Sequence, residues 1–476
     1  MNILMVASEA TPFAKTGGLA DVLGALPAAL AERGENVAVV IPAYRENHYP
    51  QATREAYRDL FIPIGPGYRV NIFAAQPDLK TDRRVTYFFV DCPALYDRDG
   101  IYGAGAADFP DNHLRFAVLS LAAIGVARHL FATDLLHLHD WQAALAPVYL
   151  REHFQGDPTF RRVKSLLTIH NLGYQGIFSP KVVPEIGLDP RWMNPEQLEF
   201  FGDVNFLKAG IAWSDAVSTV SKGYAREIQT PEYGFGLHGF LRKHGPITGI
   251  VNGVDYNQWS PVHDPHIARN YSPADLSGKH TCKRAILGEF GLPQDNLDRP
   301  LAAIVSRFAS QKGFDILADA ASRLLQEDVN LVVLGSGDLV YESMFQALAK
   351  AYPDQVGVHI GYDEALSHRI EAGADLFLMP SRYEPCGLNQ IYSLKYGTVP
   401  VVRATGGLDD TIDRDTGFKF HEYSGDALLE SVRLALNAFQ NKEQWVRRMR
   451  RCMEKDFSWN ASAGEYVELY GRLLAS

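Results

Sequence analysis

Near its start the chain reads NILMVASEATPFAKTGGLADVLGALP (residues 2–27). Residues 2–7 are an apolar run typical of a buried strand, and the apolar spacing over residues 19–33 predicts a helix with one apolar face. Gly17 and Gly18 lie between the two. Glycines at such a turn allow positive φ angles and a close approach of a ligand, and a helix start offers free N–H groups to an anion. The stretch therefore predicts an α/β fold with a candidate anion site in its first loop.

The same alternation of strand and helix patterns continues along the chain, which is typical of parallel strands joined by helices. Predicted strands lie at 2–7, 36–41, 85–91, 135–139, 165–169, 216–220 and 247–251, and then at 301–306, 329–334, 356–361, 376–379 and 399–402. Residues 252–300 are rich in Pro, Asp, Asn and His, which fits a linker region followed by one helix. We therefore predict two α/β domains with doubly wound parallel sheets, residues 1–250 and 251–457. An amphipathic helix over 458–476 fits either domain.

Charge and composition exclude several classes of function. The 476 residues include 46 Lys and Arg against 56 Asp and Glu, a net charge of -10, and no basic stripe, so we predict no nucleic-acid binding. No apolar run reaches the ~18 residues of a membrane helix, so we predict no membrane association. Residues 1–10 lack the basic leader of a secretion signal, and the four cysteines lack a C-x-x-C pair. Both observations favour the cytoplasm and reduced thiols.

The first glycine loop has two charged candidates. Lys15 can place a point charge on a phosphate, while Asp21 either accepts a hydrogen bond from a ligand hydroxyl or matches the positive end of the helix dipole. The loop is not a Walker A motif, because its lysine precedes the glycines. A purely structural turn explains the same residues, and both interpretations stay open.

Further polar residues follow predicted strands in the first half. His170 and Asn171 lie in TIHNLGYQG, and Asp140 lies in HLHDWQ, so these side chains are placed to line a ligand site. His137 and His139 alternate as strand residues do and lack a third ligand at zinc spacing. We therefore predict hydrogen bonds to a substrate from His170 and Asn171, and no metal site.

In the second half, cations and glycines follow predicted strands. Arg307 and Lys312 lie in VSRFASQKGFD, where two cations that leave one strand end can converge on a diphosphate. Gly335 and Gly337 mark a tight strand-to-helix turn in VVLGSGDLV. The dinucleotide fingerprint needs a third glycine where this chain has Val340, which disfavours a simple NAD site. For the two cations, solvated surface charge is the competing interpretation.

The segment SRYEPCGLNQ is the richest in candidates. Glu384 precedes a glycine-led helix start, an arrangement in which a carboxylate holds sugar hydroxyls while N–H groups face a phosphate. A glutamate that only caps the helix is the competing interpretation. Its neighbour Cys386 has no histidine beside it, so we interpret it as a buried thiol and not as a nucleophile. The later stretch RATGGLDDTI repeats the opening device of a strand, a Thr, two glycines and a helix, and predicts a second ligand loop at Thr405, Gly406 and Gly407.

Taken together, these motifs resemble those of the bacterial glycogen synthases and plant starch synthases. The shared motifs, in family order, are KTGGLADV, HDWQ, TIHNLGYQG, VNGVD, SRFASQKG, SRYEPCGLNQ and TGGLDDT, and they span almost the whole chain. The resemblance implies a GT-B fold, in which two Rossmann-like domains are separated by a cleft. It implies ADP-glucose as donor and an α-1,4-glucan (glycogen, starch or a maltooligosaccharide) as acceptor. It implies neither a metal nor a cofactor. It also implies that residues 458–476 pack onto the first domain, which takes the acceptor side, while the second takes the nucleotide sugar.

The motifs and the resemblance together predict the site residues. The predicted catalytic residues are Glu384, Arg307, Lys312 and His170; the donor-binding residues are Lys15, Gly18, Asp21, Asn171, Asn252, Gly335, Cys386, Gly387, Leu388, Thr405, Gly406 and Gly407; the acceptor or cleft residues are Asp140, Trp141 and Gln175. The chain departs from common family residues at Phe308, Ala309, Asn389 and Asp409. These departures leave the preferred glucan acceptor open.

The implied reaction is transfer of glucose to the non-reducing 4-hydroxyl of a glucan with retention of configuration. Three alternatives stay open at this point. The donor is UDP-glucose, since both nucleotides share the diphosphate and the sugar; or the enzyme is a glucan phosphorylase, which needs pyridoxal phosphate; or the chain is an inactive glucan-binding module. The full set of charged loop residues speaks against an inactive module, and no lysine motif for pyridoxal phosphate is evident. The choice of ADP-glucose over UDP-glucose rests on the resemblance.

Overall fold

The computed structural model describes residues 1–45, 53–75, 85–104 and 107–476. These residues divide into two compact units. Unit 1 comprises Met1–Val220, Ala225–Gly253 and Trp459–Ser476, and unit 2 comprises Ser221–Tyr224 and Val254–Ser458.

The strands of unit 1 are β1 (Asn2–Val6), β2 (Asn36–Pro42), β3 (Arg54–Ile62), β4 (Tyr68–Ala75), β5 (Val85–Asp91), β6 (Gly103–Ala104), β7 (Ala107–Asp108), β8 (Leu135–His139), β9 (Lys164–Ile169), β10 (Ile177–Phe178), β11 (Glu199–Phe200), β12 (Asp203–Asn205), β13 (Ala216–Thr219) and β14 (Ile247–Gly249). In the described part of this unit, nine strands form one sheet in the order β14-β13-β9-β8-β1-β2-β5-β4-β3. The seven strands from β14 to β5 are parallel to one another, and β4 and β3 are antiparallel additions at the edge.

Each strand predicted in the first half overlaps a parallel strand of this sheet, and all of these except the half-buried edge strand β14 are mostly buried. The sequence did not predict β3 and β4. Most residues of β3 are exposed or half-buried, so this strand lacks the apolar run that revealed the others. The two antiparallel strands therefore extend the predicted parallel sheet at this edge.

The strands of unit 2 are β15 (Leu301–Val305), β16 (Asn330–Gly335), β17 (Val356–Ile360), β18 (Leu376–Met379), β19 (Val399–Arg403) and β20 (Phe418–Phe420). They form a parallel sheet in the order β17-β16-β15-β18-β19-β20. This is the strand order 3-2-1-4-5-6 of the Rossmann fold. The three-residue strand β20 was too short to be predicted.

Helices connect the strands of both sheets. They are α1 (Gly18–Glu32), α2 (Pro93–Tyr96), α3 (Asn112–His129), α4 (Asp140–Ala143), α5 (Leu145–Glu152), α6 (Val182–Glu185), α7 (Phe206–Trp213), α8 (Lys222–Glu227), α9 (His238–His244), α10 (Ser277–Glu289), α11 (Phe314–Leu324), α12 (Leu339–Ala351), α13 (Glu364–Gly373), α14 (Asn389–Lys395), α15 (Gly406–Thr411), α16 (Gly425–Gln440), α17 (Lys442–Glu454) and α18 (Trp459–Ala475). Among the described residues, none of these helices has both the length and the apolar character needed to cross a bilayer. All four cysteines are free and buried.

The C-terminal helix α18 is part of the core of unit 1. Its buried face includes Trp459, Leu469 and Tyr470, which pack in one apolar cluster with residues of β1 and α1. The hydroxyl of Tyr470 lies 2.8 Å from Nδ1 of His137, whose Nε2 lies 2.7 Å from the hydroxyl of Thr168. His137 is therefore a hydrogen-bonded core residue.

This packing predicts a large effect from a single truncation. Leu469→Ala should lower the free energy of unfolding by about 2 to 5 kcal/mol, because it removes a buried side chain and leaves a cavity. The control Glu468→Ala lies on the exposed face of the same helix and should change it by less than about 0.5 kcal/mol. Urea unfolding measures both, and equal small effects would mean that α18 contributes little to the core.

Candidate active site

In each unit the candidate residues lie in loops at the carboxyl ends of parallel strands. The order of strands along the unit 1 sheet reverses between β1 and β8, and along the unit 2 sheet between β15 and β18. Open α/β sheets bind ligands at this reversal, because the loops after the two neighbouring strands diverge there. Lys15, Asp140, Arg307, Lys312 and Glu384 follow these four strands. The other predicted site residues include some that follow neighbouring strands of the same sheets: His170, Asn171 and Gln175 follow β9, Asn252 follows β14, Gly335 ends β16, and Thr405, Gly406 and Gly407 follow β19.

The glycine loop of unit 1 connects β1 to α1. Gly17 is extended, with φ at -159°, and Gly18 is the first residue of the helix, so the positive φ angles expected from the sequence are absent at both glycines. A Cβ atom at either position would meet no atom within 4 Å. Since packing does not require glycine here, the pair fits a loop that leaves room for a ligand. Lys15 and Asp21 form an ion pair of 2.7 Å at the surface.

Asp140 begins α4 directly after β8 and is buried. Its φ is +57°, an unfavourable conformation for a residue with a Cβ atom. The backbone N–H of His170, at the end of β9, donates to its carboxylate at 2.7 Å. Burial raises the pKa of Asp140 to about 7, and backbone hydrogen bonds from His170 and Asn171 oppose this rise. Strained backbone and a carboxyl group that titrates near neutrality are both typical of functional sites.

His139 and His170 form a pair beside this carboxyl group. Nδ1 of His139 lies 3.0 Å from Nε2 of His170. Loss of solvation on burial lowers the pKa of His170 to about 3 and that of His139 well below its usual value, so both rings are neutral at pH 7. One ring donates the shared hydrogen bond and the other accepts it, which fixes the tautomers of the two rings as a pair. The half-buried ring of His170 can then act through hydrogen bonds and not through charge.

The other predicted residues of unit 1 have different surroundings. Oδ1 of Asn252 is buried without a hydrogen-bond partner in the described residues, a costly state that a ligand donor would relieve. The amide of Gln175 is satisfied internally, since its nitrogen donates to two backbone carbonyls and its oxygen accepts from Asn205. Trp141 is buried and packs edge-on against Phe116. A glucan contact by Gln175 or Trp141 stays a prediction.

In unit 2 the loops after β15 and β18 meet through an ion pair. Nζ of Lys312 lies 2.7 Å from Oε2 of Glu384, and the hydroxyl of Ser381 donates to the same oxygen at 3.1 Å. Glu384 is 6% exposed. Arg307 is exposed and forms no ion pair with any residue that the structure describes. One predicted cation is thus partly neutralised, whereas the other presents its full charge.

Several predicted glycines of unit 2 are required by the fold. A Cβ at Gly335 would lie 1.9 Å from the carbonyl oxygen of Ser306, and one at Gly407 would lie 2.1 Å from that of Cys386. Gly387 has φ at +72°, which favours glycine. The N–H of Gly407 donates to the carbonyl of Glu384 at 3.0 Å, so this close approach holds the Glu384 loop in place.

Two residues of this region were not predicted from the sequence. Ser381 contacts Glu384, and Glu9 accepts hydrogen bonds from the glycine loop of unit 1. Glu9 belongs to none of the motifs, and Ser381, although it begins SRYEPCGLNQ, has no neighbour in the sequence that marks its hydroxyl as a partner of Glu384. Only their position just past a strand end at the sheet reversal distinguishes them, and that requires the strand order.

Comparison with known proteins identifies the family. The family profile described as the starch synthase catalytic domain matches residues 2–243, and that of glycosyl transferases group 1 matches residues 293–451. A glycogen synthase of Koribacter versatilis is 50% identical over 478 residues, which cover 99% of this chain and 98% of the relative. The chain belongs to the glycogen synthase and starch synthase family. A glycogen synthase of Anaeromyxobacter dehalogenans is 47% identical, over 99% of this chain and all of the relative.

A solved structure agrees with this membership. The catalytic domain of starch synthase IV from Arabidopsis thaliana, bound to ADP and acarbose, aligns with a TM-score of 0.87 and 31% identity, covering all of this chain and 99% of that one. The predicted family, the GT-B fold class and the glucosyltransferase class are confirmed.

The raised pKa of Asp140 predicts a pH-dependent stability. The folded state holds this proton up to about pH 7, whereas an unfolded Asp loses it near pH 3.8, so the contribution of Asp140 to stability falls as the pH rises between these values and then levels off. Asp140→Asn abolishes this loss. Relative to wild type, its free energy of unfolding should therefore increase by about 2 kcal/mol from pH 5 to pH 7.

Urea unfolding at several pH values measures this difference. The control Asp203→Asn removes an exposed carboxylate of unit 1. Its free energy of unfolding, plotted against pH, should run parallel to that of wild type. A parallel curve for Asp140→Asn as well would show that Asp140 is ionised throughout this range in the folded protein.

Proposed function

We propose that the protein transfers glucose from ADP-glucose to the 4-hydroxyl at the non-reducing end of an α-1,4-glucan, with retention of configuration. Family membership supports the reaction class, and the ADP bound to the related starch synthase supports the nucleotide. The observation that carries the proposal is the arrangement at the strand reversal of unit 2, where Arg307, Lys312 and Glu384 follow two neighbouring strands.

In this proposal, the main barrier to the reaction is the departure of ADP. As the bond from glucose to the diphosphate breaks, negative charge grows on the phosphate oxygens, and preorganised positive charge lowers that barrier. We assign Arg307 and Lys312 to this role, with Lys15 as a third cation and the helix start after Gly387 as a further positive end. A diphosphate that shares the ammonium group of Lys312 would release one carboxylate oxygen of Glu384 to a sugar hydroxyl.

The polar residues of unit 1 have a different role in this proposal. The rings of His139 and His170 are neutral at pH 7, so they can form directional hydrogen bonds but add no charge to the site. His170, Asn171 and Asp140 would orient the transferred sugar through hydrogen bonds. Exclusion of water at the reacting carbon would prevent hydrolysis of the donor. In unit 2, Gly335 and Gly407 support the ligand loops through close backbone packing, Gly407 against the carbonyl oxygen of Cys386.

One assay separates this function from its alternatives. Purified protein is mixed with glycogen and either ADP-glucose or UDP-glucose, and release of the nucleoside diphosphate is measured. The proposal expects ADP release that depends on glycogen, with a much slower reaction from UDP-glucose. No release from either donor would favour a binding module, and a visible absorbance band of bound pyridoxal phosphate would favour a phosphorylase. Buried free thiols support the cytoplasm as the proposed compartment.

Truncation of either phosphate cation should reduce catalysis without unfolding the protein. We expect Arg307→Ala and Lys312→Ala each to lower turnover by ~10²-fold or more, the scale for losing a preorganised charge stabiliser. The control Arg433→Ala removes an exposed arginine paired with Glu327 at 2.8 Å, and its turnover should match wild type. Steady-state kinetics with matched thermal unfolding measures the effect, and unchanged turnover in both test variants would refute their assigned role.

Removal of divalent metal should leave the reaction unaffected. In the described ranges, no group of three or more His, Cys, Asp and Glu side chains is placed to hold a metal ion, and we assign the charge stabilisation to lysine and arginine. Turnover in excess chelator should therefore equal turnover in buffer alone. A strong loss that Mg²⁺ restores would show that the diphosphate needs a metal as well.

A further inference from the structure

A buried carboxylate lies beneath the glycine loop of unit 1. Glu9 follows β1 by three residues and is 3% exposed. It forms no ion pair with any lysine, arginine or histidine in the part of the chain that the structure describes. Burying an unpaired carboxylate is costly unless its oxygens accept hydrogen bonds, so the donors around Glu9 decide what this residue does.

Four donors surround the two carboxylate oxygens. Oε2 accepts hydrogen bonds from the backbone N–H groups of Thr16 and Gly17, the second at 3.3 Å. Oε1 accepts from the hydroxyl of Thr16 at 2.8 Å and from the hydroxyl of Tyr102. Three of these four hydrogen bonds therefore come from the loop that carries Lys15.

The fourth donor connects the loop to a fixed part of unit 1. The hydroxyl of Tyr102 also lies 2.7 Å from that of Ser8, and its backbone carbonyl accepts a hydrogen bond from Asn112 of α3 at 2.9 Å. Tyr102 is half-buried, and loss of solvation around its hydroxyl raises the pKa of that group well above its usual value and keeps it a hydrogen-bond donor. The hydroxyl of Tyr102 thus fixes the carboxylate of Glu9, and that carboxylate fixes the backbone of Thr16 and Gly17.

Packing of side chains holds the middle of this loop, where Phe13 lies against Tyr87 and Phe89, but it does not hold residues 15–18. Lys15, Thr16, Gly17 and Gly18 are all exposed, and a Cβ at either glycine would meet no atom within 4 Å. The N–H groups of Thr16 and Gly17, which precede the helix start, are directed inward to Glu9. The N–H of Gly18 donates to no group within the described ranges, so it stays available to a ligand.

We propose that Glu9 is a positioning residue for the donor: by fixing the backbone of Thr16 and Gly17, it directs the ammonium group of Lys15 and the N–H of Gly18 to the diphosphate. This inference rests on the proposed function and deepens it. It assigns the internal carboxylate, and not the donor, as the partner of the Thr16 and Gly17 N–H groups. Glu9 does not contact the substrate itself.

Two variants of Glu9 separate position from charge. Glu9→Ala removes all four acceptor interactions. Glu9→Gln keeps an amide oxygen for the two backbone N–H groups, and its NH2 group can face the hydroxyls of Thr16 and Tyr102, which accept as well as donate. If Glu9 acts through position, glutamine restores function; if it acts through negative charge, glutamine behaves as alanine does.

The experiment compares full-length wild type, Glu9→Ala, Glu9→Gln, Tyr102→Phe and the control Glu35→Ala. Glu35 is a buried carboxylate of the same unit that pairs with the N-terminal ammonium at 2.6 Å, remote in sequence from the loop. Steady-state kinetics gives the KM for ADP-glucose, the KM for glycogen and kcat. Amide hydrogen exchange of the unliganded proteins reports the protection of Thr16 and Gly17, and thermal unfolding reports stability.

For Glu9→Ala we expect a KM for ADP-glucose raised about tenfold or more, a KM for glycogen within about twofold of wild type, and faster exchange at Thr16 and Gly17. Glu9→Gln should stay within about threefold of wild type in each constant, and Tyr102→Phe should fall between the two. Glu35→Ala should lower the unfolding temperature and leave the KM for ADP-glucose unchanged.

Three results would overturn the inference. The first is a wild-type KM for ADP-glucose in Glu9→Ala, and the second is an equal increase in the KM for ADP-glucose and the KM for glycogen. The third is a KM for ADP-glucose in Glu9→Gln that is raised as much as in Glu9→Ala. If Glu9→Ala does not fold, Glu9→Gln and Tyr102→Phe still give the donor KM and the exchange rates. A wild type that releases no ADP from ADP-glucose would refute the proposed function, and hydrogen exchange would then report separately whether Glu9 holds the loop.

Discussion

The reversal of strand order beside the first strand of each sheet is the constraint on which the rest of the structure depends. In unit 1 it places the loops after β1 and β8 side by side, and in unit 2 it does the same for the loops after β15 and β18. Because all four strands are parallel to their neighbours, their carboxyl ends lie on one edge of the sheet. Residues distant in sequence therefore meet there, as Lys312 and Glu384 do across 72 positions.

Buried carboxylates set the geometry of both sets of loops. Glu384 pairs with a lysine from a neighbouring loop, and Glu9 accepts hydrogen bonds from the backbone of its own loop. In each case the acid is largely withdrawn from solvent, so its interactions are stronger than they would be at the surface. Asp140 is the third such group, and its contact with the backbone of His170 connects the ends of β8 and β9. The exposed cations Lys15 and Arg307 stand on loops that these acids hold.

Much of the fold could be predicted from the sequence, because buried parallel strands appear as short apolar runs between helical periodicities. The half-exposed strand β3 could not be, since its residues lack that pattern. Motifs revealed Lys312 and Glu384 but not their ion pair, which depends on strand order. The glycine loop was predicted as an anion site. In the structure, the N–H groups of Thr16 and Gly17 donate to Glu9. A single glutamate outside any motif gives no sequence signal, and only the backbone path around it reveals its role.

The most direct test is a crystal structure of the protein with ADP bound. We expect diphosphate oxygens within about 3 Å of the guanidinium group of Arg307 and the ammonium group of Lys312, at the carboxyl end of β15. A diphosphate bound elsewhere, with both of these side chains directed into solvent, would contradict it.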